Sequence, residues 1–276
     1  IQAAADQFRK VAPDALVLDN SQKFDLPELA IEALMRRGEW AENYARRLVD
    51  QGSEPLPAPP RERAVLKIQD GCSNKCSFCI IPSVRGRSRS APLESVLQQI
   101  QDLASRYREV VLSGINLGRW GRDLPGQLRF TDLLRAVLRE TSLERLRISS
   151  VEPMDWSQEL LELMATETRI APHVHIPLQS GSDTVLKRMF RKYRTRHYVT
   201  RLELTRRLMP DAAIGADVMT GFPGESEEEF RQTVRFIEEQ PFTYLHVFTY
   251  SERPGTAAAL SEDVVPVEVR RHRTQI

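Results

Sequence analysis

The chain has 276 residues, 41% of them hydrophobic, with Lys+Arg 39 against Asp+Glu 38. That suffices to bury one large core or two modest ones, and a net charge of +1 excludes a globally basic nucleic-acid binder, so any such contact must come from local patches. The lack of a membrane-length apolar run or leader-like N-terminus predicts a soluble, cytoplasmic protein with no membrane partner, and three cysteines, an odd number, argue against a disulfide framework.

Residues 1–50 read as a small αβα unit: "IQAAADQFRKV" is helical, "DALVLDN" is a short strand, and "DLPELAIEALMRRG" is a helix with Pro27 near its start and Gly38 at its end. The stretch 51–63 carries four prolines and predicts a linker. A first residue that is isoleucine rather than methionine is what a fragment would show. Over 64–260 short apolar runs alternate with amphipathic helices. "AVLKI" precedes 92–107, "EVVLSG" precedes 129–140 and "RLRISS" precedes 157–167; "HVHIPL" precedes 182–208, "AIGADVM" precedes 226–239, and "YLHVFTY" comes last. Such βα units in series predict a parallel sheet curled into a full or partial barrel, with chemistry on the loops at the C-terminal strand ends.

On the loop after the first of these strands, "GCSNKCSFCIIPSVRGRSRS" gathers Cys72, Cys76 and Cys79 in a Cys-x3-Cys-x2-Cys spacing. Three thiolates on one short loop can ligate three irons of a four-iron cluster and leave the fourth open to a ligand. Structural zinc is the alternative; it needs a fourth ligand, which only a distant residue such as His173 or His175 could supply. That histidine pair shares one strand face and is otherwise expected to pack in the lumen.

The cysteine spacing, with Phe78 just before the last cysteine, resembles the signature of radical S-adenosylmethionine (SAM) enzymes. The longer motif, with "HIPLQSGSDTVLKRM", "GADVMTGFPGESEEEF" and "FTYSERPGT", resembles the methylthiotransferases over roughly residues 15–270. The resemblance implies an α/β fold, a radical SAM partial (β/α)6 barrel preceded by the remnant of a small α/β N-terminal domain. It also implies a [4Fe–4S] cluster on Cys72, Cys76 and Cys79, with SAM chelating its free iron. "VVLSGINLGRWG" and "SSVEP" are similar to the branch that adds a methylthio group to C2 of N6-threonylcarbamoyladenosine at tRNA position 37. The isopentenyladenosine branch typically has a Gly-Gln-Asn second loop and a His at the position of Glu152; the ribosomal-protein branch has Gly-Gln-Asp and Tyr. Asn116 stands where His is common, and Phe190 where a small polar residue is usual.

Candidate SAM-binding residues are Phe78, Gly114, Ser150, Glu152, Gln179, Arg191 and Phe222. Gly114, like Gly118, suits a backbone passing close to a ligand, and Pro153 extends the loop that aims the Glu152 carboxylate. Ser182 or Asp183 caps the helix that follows "PLQSG". Arg191 offers a fork for the SAM carboxylate, although a cation at a helix C-terminus needs no function. "GFPGES" lacks the Lys-Ser/Thr of a P-loop, and Glu225 would repel phosphate, so it reads as a shaped turn with Phe222 as a wall for adenine. Arg85, Arg87 and Arg89, with Lys192 and Arg194 in the "RMFRKYRTR" run (which also holds Arg188 and Arg196), form a candidate RNA surface for the tRNA anticodon loop.

By resemblance the whole enzyme also needs an electron donor such as flavodoxin or ferredoxin, works as a monomer, and holds a second [4Fe–4S] cluster in its N-terminal domain. This chain has no cysteine to spare for that second cluster, so sulfur insertion is not expected from it alone; residues 261–276 are expected to begin a connection to a C-terminal RNA-binding domain. The competing functions are a methylthiotransferase acting on isopentenyladenosine or a ribosomal protein, and a non-catalytic zinc- or RNA-binding module.

Overall fold

Among the apolar runs after residue 62, "EVVLSG" and "RLRI" alternate buried with less buried side chains, as a strand with one covered face must. In the computed structural model, which describes residues 63–276, these runs become β1 (Arg63–Asp70), β3 (Glu109–Gly114), β4 (Arg145–Ile148), β5 (His173–His175), β6 (Ala213–Thr220) and β7 (Tyr244–Thr249), with a short β2 (Arg89–Ser90) between the first two. The αβα unit and linker expected over 1–62 lie outside the described residues.

β1, β3 and β4 pair in parallel, as do β5, β6 and β7. Parallel bridges Leu146–Ile170 and Ser150–His175 join the two sets, so six parallel strands run in chain order as a partial (β/α)6 barrel. Leu66, Ile68, Leu112, Ile148, Val174, Ile214 and Val218 form the face buried under the helices. Each fully buried aliphatic chain contributes roughly 1.5–3 kcal/mol. The opposite face carries Gln69, Arg147, His173, His175 and Asp217, so the inside of the curl is polar.

The helices are α1 (Ile81–Arg85), α2 (Leu93–Ala104), α3 (Phe130–Glu140), α4 (Gln158–Thr166), α5 (Asp183–Arg188), α6 (Thr195–Leu208), α7 (Glu227–Glu238) and α8 (Val267–Gln275). The single helix expected over 182–208 is two helices. Phe190 adopts φ +57, Phe190 N–H donates to Lys187 O (3.1 Å) and Arg191 N–H donates to Leu186 O (2.9 Å). That is a Schellman ending with phenylalanine where glycine is usual, so no glycine announces it.

The "GFPGES" turn is also internally built. Glu225 is buried; its carboxylate accepts Gly221 N–H (2.7 Å) and pairs with the buried Arg273 of α8 (2.8 Å). The stretch expected as an outgoing connection thus includes a helix docked on the ends of β6 and β7.

Candidate functional site

The cysteine loop owes its shape to Gly71, at φ +68, where a Cβ would lie 2.1 Å from Arg87 O. Only glycine lets the chain turn back so that Cys72 N–H reaches Gly86 O (3.0 Å). Ser77 fastens the loop to the end of α5, donating from its amide to Met189 O (3.1 Å) and from Oγ to Arg188 O (2.8 Å). All three cysteines are free, Cys72 buried and the other two half-buried. Cys72 Sγ accepts Asn74 N–H (3.4 Å) and Asn116 Nδ2 (3.6 Å), and Cys76 Sγ accepts Arg191 Nη1 (3.1 Å). Burial pushes the Cys72 and Cys79 thiols up, the ordinary cost of a buried anion.

The loop opens into a cavity of about 230 Å³ at the C-terminal strand ends. Of the residues expected there, Cys72, Cys76, Cys79, Phe78, Ser150, Glu152, Gln179 and Arg191 line it. Glu152 and Arg191, read separately in the sequence, prove to be each other's partners through Arg191 Nη2. Arg191 Nε also donates to Tyr193 Oη (3.2 Å), and the fully enclosed Tyr193 donates to Leu178 O (2.7 Å). Burial works against the Arg191 charge, but its contacts with Tyr193, Glu152 and Cys76 outweigh it, and the guanidinium stays protonated. Gln179 sits at φ +65, a region costing a side-chain-bearing residue about 1–2 kcal/mol, which β6 enforces: Gln179 N–H donates to Asp217 O (2.8 Å) and Met219 N–H to Gln179 O (2.9 Å).

Asn74, Ile115, Asn116, Pro177 and Asp217 also line the cavity and were not placed there by sequence. For Asp217 a signal existed: one charged residue inside the apolar run "AIGADVM". Asn116 lines the cavity, and its buried Oδ1 is an acceptor with no hydrogen-bond partner.

Other expected residues lie elsewhere. Phe222 is not a cavity wall: it packs on Tyr250, ring centroids 5.7 Å apart, in a cluster with Val185, Met189 and Ala258 that supports Phe78 from behind. At Gly114 a Cβ would lie 2.9 Å from Gln69 Cβ, so the missing side chain makes room for Gln69. Arg85 turns inward onto Asp70 (3.2 Å). Arg87 and Arg89 remain exposed, and Arg194 is half-buried, donating to Tyr193 O (3.2 Å). Arg87 and Lys192 line a second cleft of about 340 Å³ that shares Asn74 and Asn116 with the cysteine cavity. Its Arg119 and Arg122 are paired with Asp155 (2.9 and 3.1 Å).

The donor set fits an iron–sulfur cluster better than zinc. His173 Nε2 meets Tyr244 Oη (2.7 Å) and His175 faces Asp217 (3.4 Å), so neither supplies the fourth ligand zinc needs. Among the described residues no histidine or carboxylate joins the thiols as a metal-binding group. Residues 66–237 match the Radical SAM superfamily. This chain belongs to that superfamily.

The solved structures of other radical SAM proteins share its fold. The methyltransferase TsrM from Kitasatospora setae aligns at TM-score 0.60 and 18% identity, over 71% of this chain and 38% of that one. Coproporphyrinogen III oxidase (HemN) from Escherichia coli aligns at 0.57 and 18%, over 86% and 54%. Curated relatives are more similar in sequence. The threonylcarbamoyladenosine tRNA methylthiotransferase MtaB of Bacillus subtilis is 46% identical over 77% of this chain and 48% of its own length. The tRNA-2-methylthio-N(6)-dimethylallyladenosine synthase of Syntrophobacter fumaroxidans is 44% identical over 76% and 46%. The chain thus spans about half the length of these relatives. No helix among the described residues is long and apolar enough to cross a membrane.

Proposed function

We propose that this chain is the SAM-cleaving part of a tRNA methylthiotransferase acting on N6-threonylcarbamoyladenosine at position 37. The observation that carries the reading is three free thiols opening into a cavity with a protonated arginine and an unused amide acceptor, in a chain whose relatives at 46% and 44% identity are both tRNA methylthiotransferases. Cys72, Cys76 and Cys79 would hold a [4Fe–4S] cluster which, with SAM bound, supplies one-electron cleavage of the sulfonium.

The chain's own residues do the rest. Asn116 Oδ1 is placed to accept from the SAM amino group, and Arg191, held by Tyr193 and Glu152, sets a fixed positive charge beside Cys76 for the carboxylate. The second cleft, with Arg87 and Lys192, gives the anticodon-loop phosphates a path to the cavity. Reduction requires an external donor, a flavodoxin or ferredoxin, and the setting is cytoplasmic; a monomer suffices, because every group named comes from one chain.

The choice of threonylcarbamoyladenosine over isopentenyladenosine rests on "GINLG" and "SSVEP", since relatives of the two kinds are nearly equally identical. Mass spectrometry of tRNA nucleosides from a strain lacking the gene tests it. Loss of the methylthio form of threonylcarbamoyladenosine is the expected result, and its persistence with loss of the isopentenyl form would overturn the assignment.

A further inference from the structure

We propose that His175, Asp217 and His246 form a second metal site, a two-histidine, one-carboxylate set for a divalent transition ion such as zinc, on the inner face of the sheet. The three come from neighbouring strands in a register that brings them together. His175 pairs with Gly215 across β5 and β6, and Asp217 pairs with His246 across β6 and β7. Gly215 and Asp217 are two apart, so the pleat turns all three side chains to the same face.

Their ligand atoms lie within 4.8 Å of one another. Asp217 Oδ1 is 3.4 Å from His175 Nε2 and 3.2 Å from His246 Nδ1. Tetrahedral zinc with bonds of about 2.0–2.2 Å separates its ligands by roughly 3.4 Å, so little movement is required. His175 supplies the independent observation. Its side chain is 9% exposed and its Nε2 is buried with no hydrogen-bond partner, despite the carboxylate alongside. The imidazole nitrogen and the carboxylate are misaligned for a hydrogen bond with each other but close enough to share an ion.

The imidazoles are also held in place. The Tyr244 ring stacks on His175 at 6.0 Å and lies 5.2 Å from His246. It has room because Gly215 lacks a side chain, a Cβ there falling 2.1 Å from the ring. Imidazole and carboxylate without thiolate select zinc, iron(II) or nickel(II) over magnesium and calcium. His246 is 55% exposed, which leaves a fourth position for water or a substrate oxygen, the arrangement of a reactive rather than a structural site. Asp217 also lines the cysteine cavity, so an ion held here would polarise a carbonyl or carboxylate oxygen of a molecule bound between the two sites.

The test measures zinc and iron in the anaerobically reconstituted chain after equilibration against a zinc buffer. About one zinc per chain is expected beside the cluster iron, and it should remain when Cys72, Cys76 and Cys79 are all replaced by alanine. His246 is exposed, so His246→Ala should fold normally by circular dichroism. Its zinc affinity should fall by more than the roughly 10–100-fold that loss of an outer-shell partner costs, and His246→Cys, which restores a donor, should recover it. The proposal is overturned if the parent retains no zinc, if zinc disappears with the thiols, or if His246→Ala and Asp217→Asn bind zinc like the parent. None of these outcomes depends on which tRNA nucleoside the protein modifies.

Discussion

Arg191 Nη1 lies 3.1 Å from Cys76 Sγ, although the two residues are 115 positions apart in the chain. The same guanidinium pairs with Glu152 and sits over the Tyr193 ring, 5.0 Å from its centroid. A donor on a cluster-ligating sulfur stabilises the reduced, more negative cluster. Arg191→Met should therefore shift the cluster potential negative by tens of millivolts, and Arg191→Lys, which keeps the charge, should shift it less. Potentiometric titration followed by EPR reads both; equal potentials in all three proteins would remove Arg191 from the cluster's surroundings.

Cys76→Ala should abolish both the cluster and 5′-deoxyadenosine formation while the barrel stays folded, because the main hydrophobic core lies between strands and helices and contains no residue of this loop. Undiminished 5′-deoxyadenosine from the reconstituted variant would show that the ligand set is wrong.

The two sorts of arginine after the cysteines should separate in salt titrations of tRNA binding. Arg87→Ala and Lys192→Ala should each reduce the magnitude of the log–log salt slope by about 0.7–0.9. Arg85→Ala should leave the slope alone and instead lower thermal stability, by about 1 kcal/mol, because Arg85 is the partner of Asp70. A slope change from Arg85→Ala would return that residue to the RNA surface.

Glu229 gives an acid-dependent term. Burial alone would raise its carboxyl, but Arg188 (2.7 Å), Thr184 (2.5 Å) and Ser226 N–H (2.9 Å) hold it at about 2, below the ordinary 4.5. A depressed carboxyl stabilises the fold above its unfolded value, and that contribution disappears as pH falls from about 4.5 towards 2. Glu229→Gln should thus be less stable than the parent by roughly 1–3 kcal/mol at neutral pH. The gap should narrow on acidification through that window, and a constant gap in denaturant midpoints down to pH 2.5 would contradict it.

Phe190→Gly should stabilise the protein. Phe190 is 57% exposed and holds φ +57 at the end of α5, so glycine removes strain while sacrificing little packing. A gain of about 1 kcal/mol is expected, visible as a Tm rise of roughly 2–4 °C. A lower Tm would mean that the exposed ring contributes more than its backbone costs.

Much of this protein was determined within short stretches of sequence. The alternation of apolar runs and amphipathic helices marked the six parallel strands, because a strand or helix that buries one face must repeat its apolar residues at that element's own period. The thiol loop was equally plain, since its ligands are adjacent in the chain. The helix break at Phe190 was not, because its signal is a backbone angle that glycine usually announces and here does not.

What only the tertiary structure decided are the meetings between strands. Glu152 pairs with Arg191, Arg85 is taken by Asp70, Phe222 turns from the cavity to the apolar cluster behind it, and His175, Asp217 and His246 converge from three strands. No local pattern encodes these contacts. They depend on strand register and on how far the sheet curls, which the packing of the whole core sets, and a shift of one residue in register would turn each side chain to the opposite face.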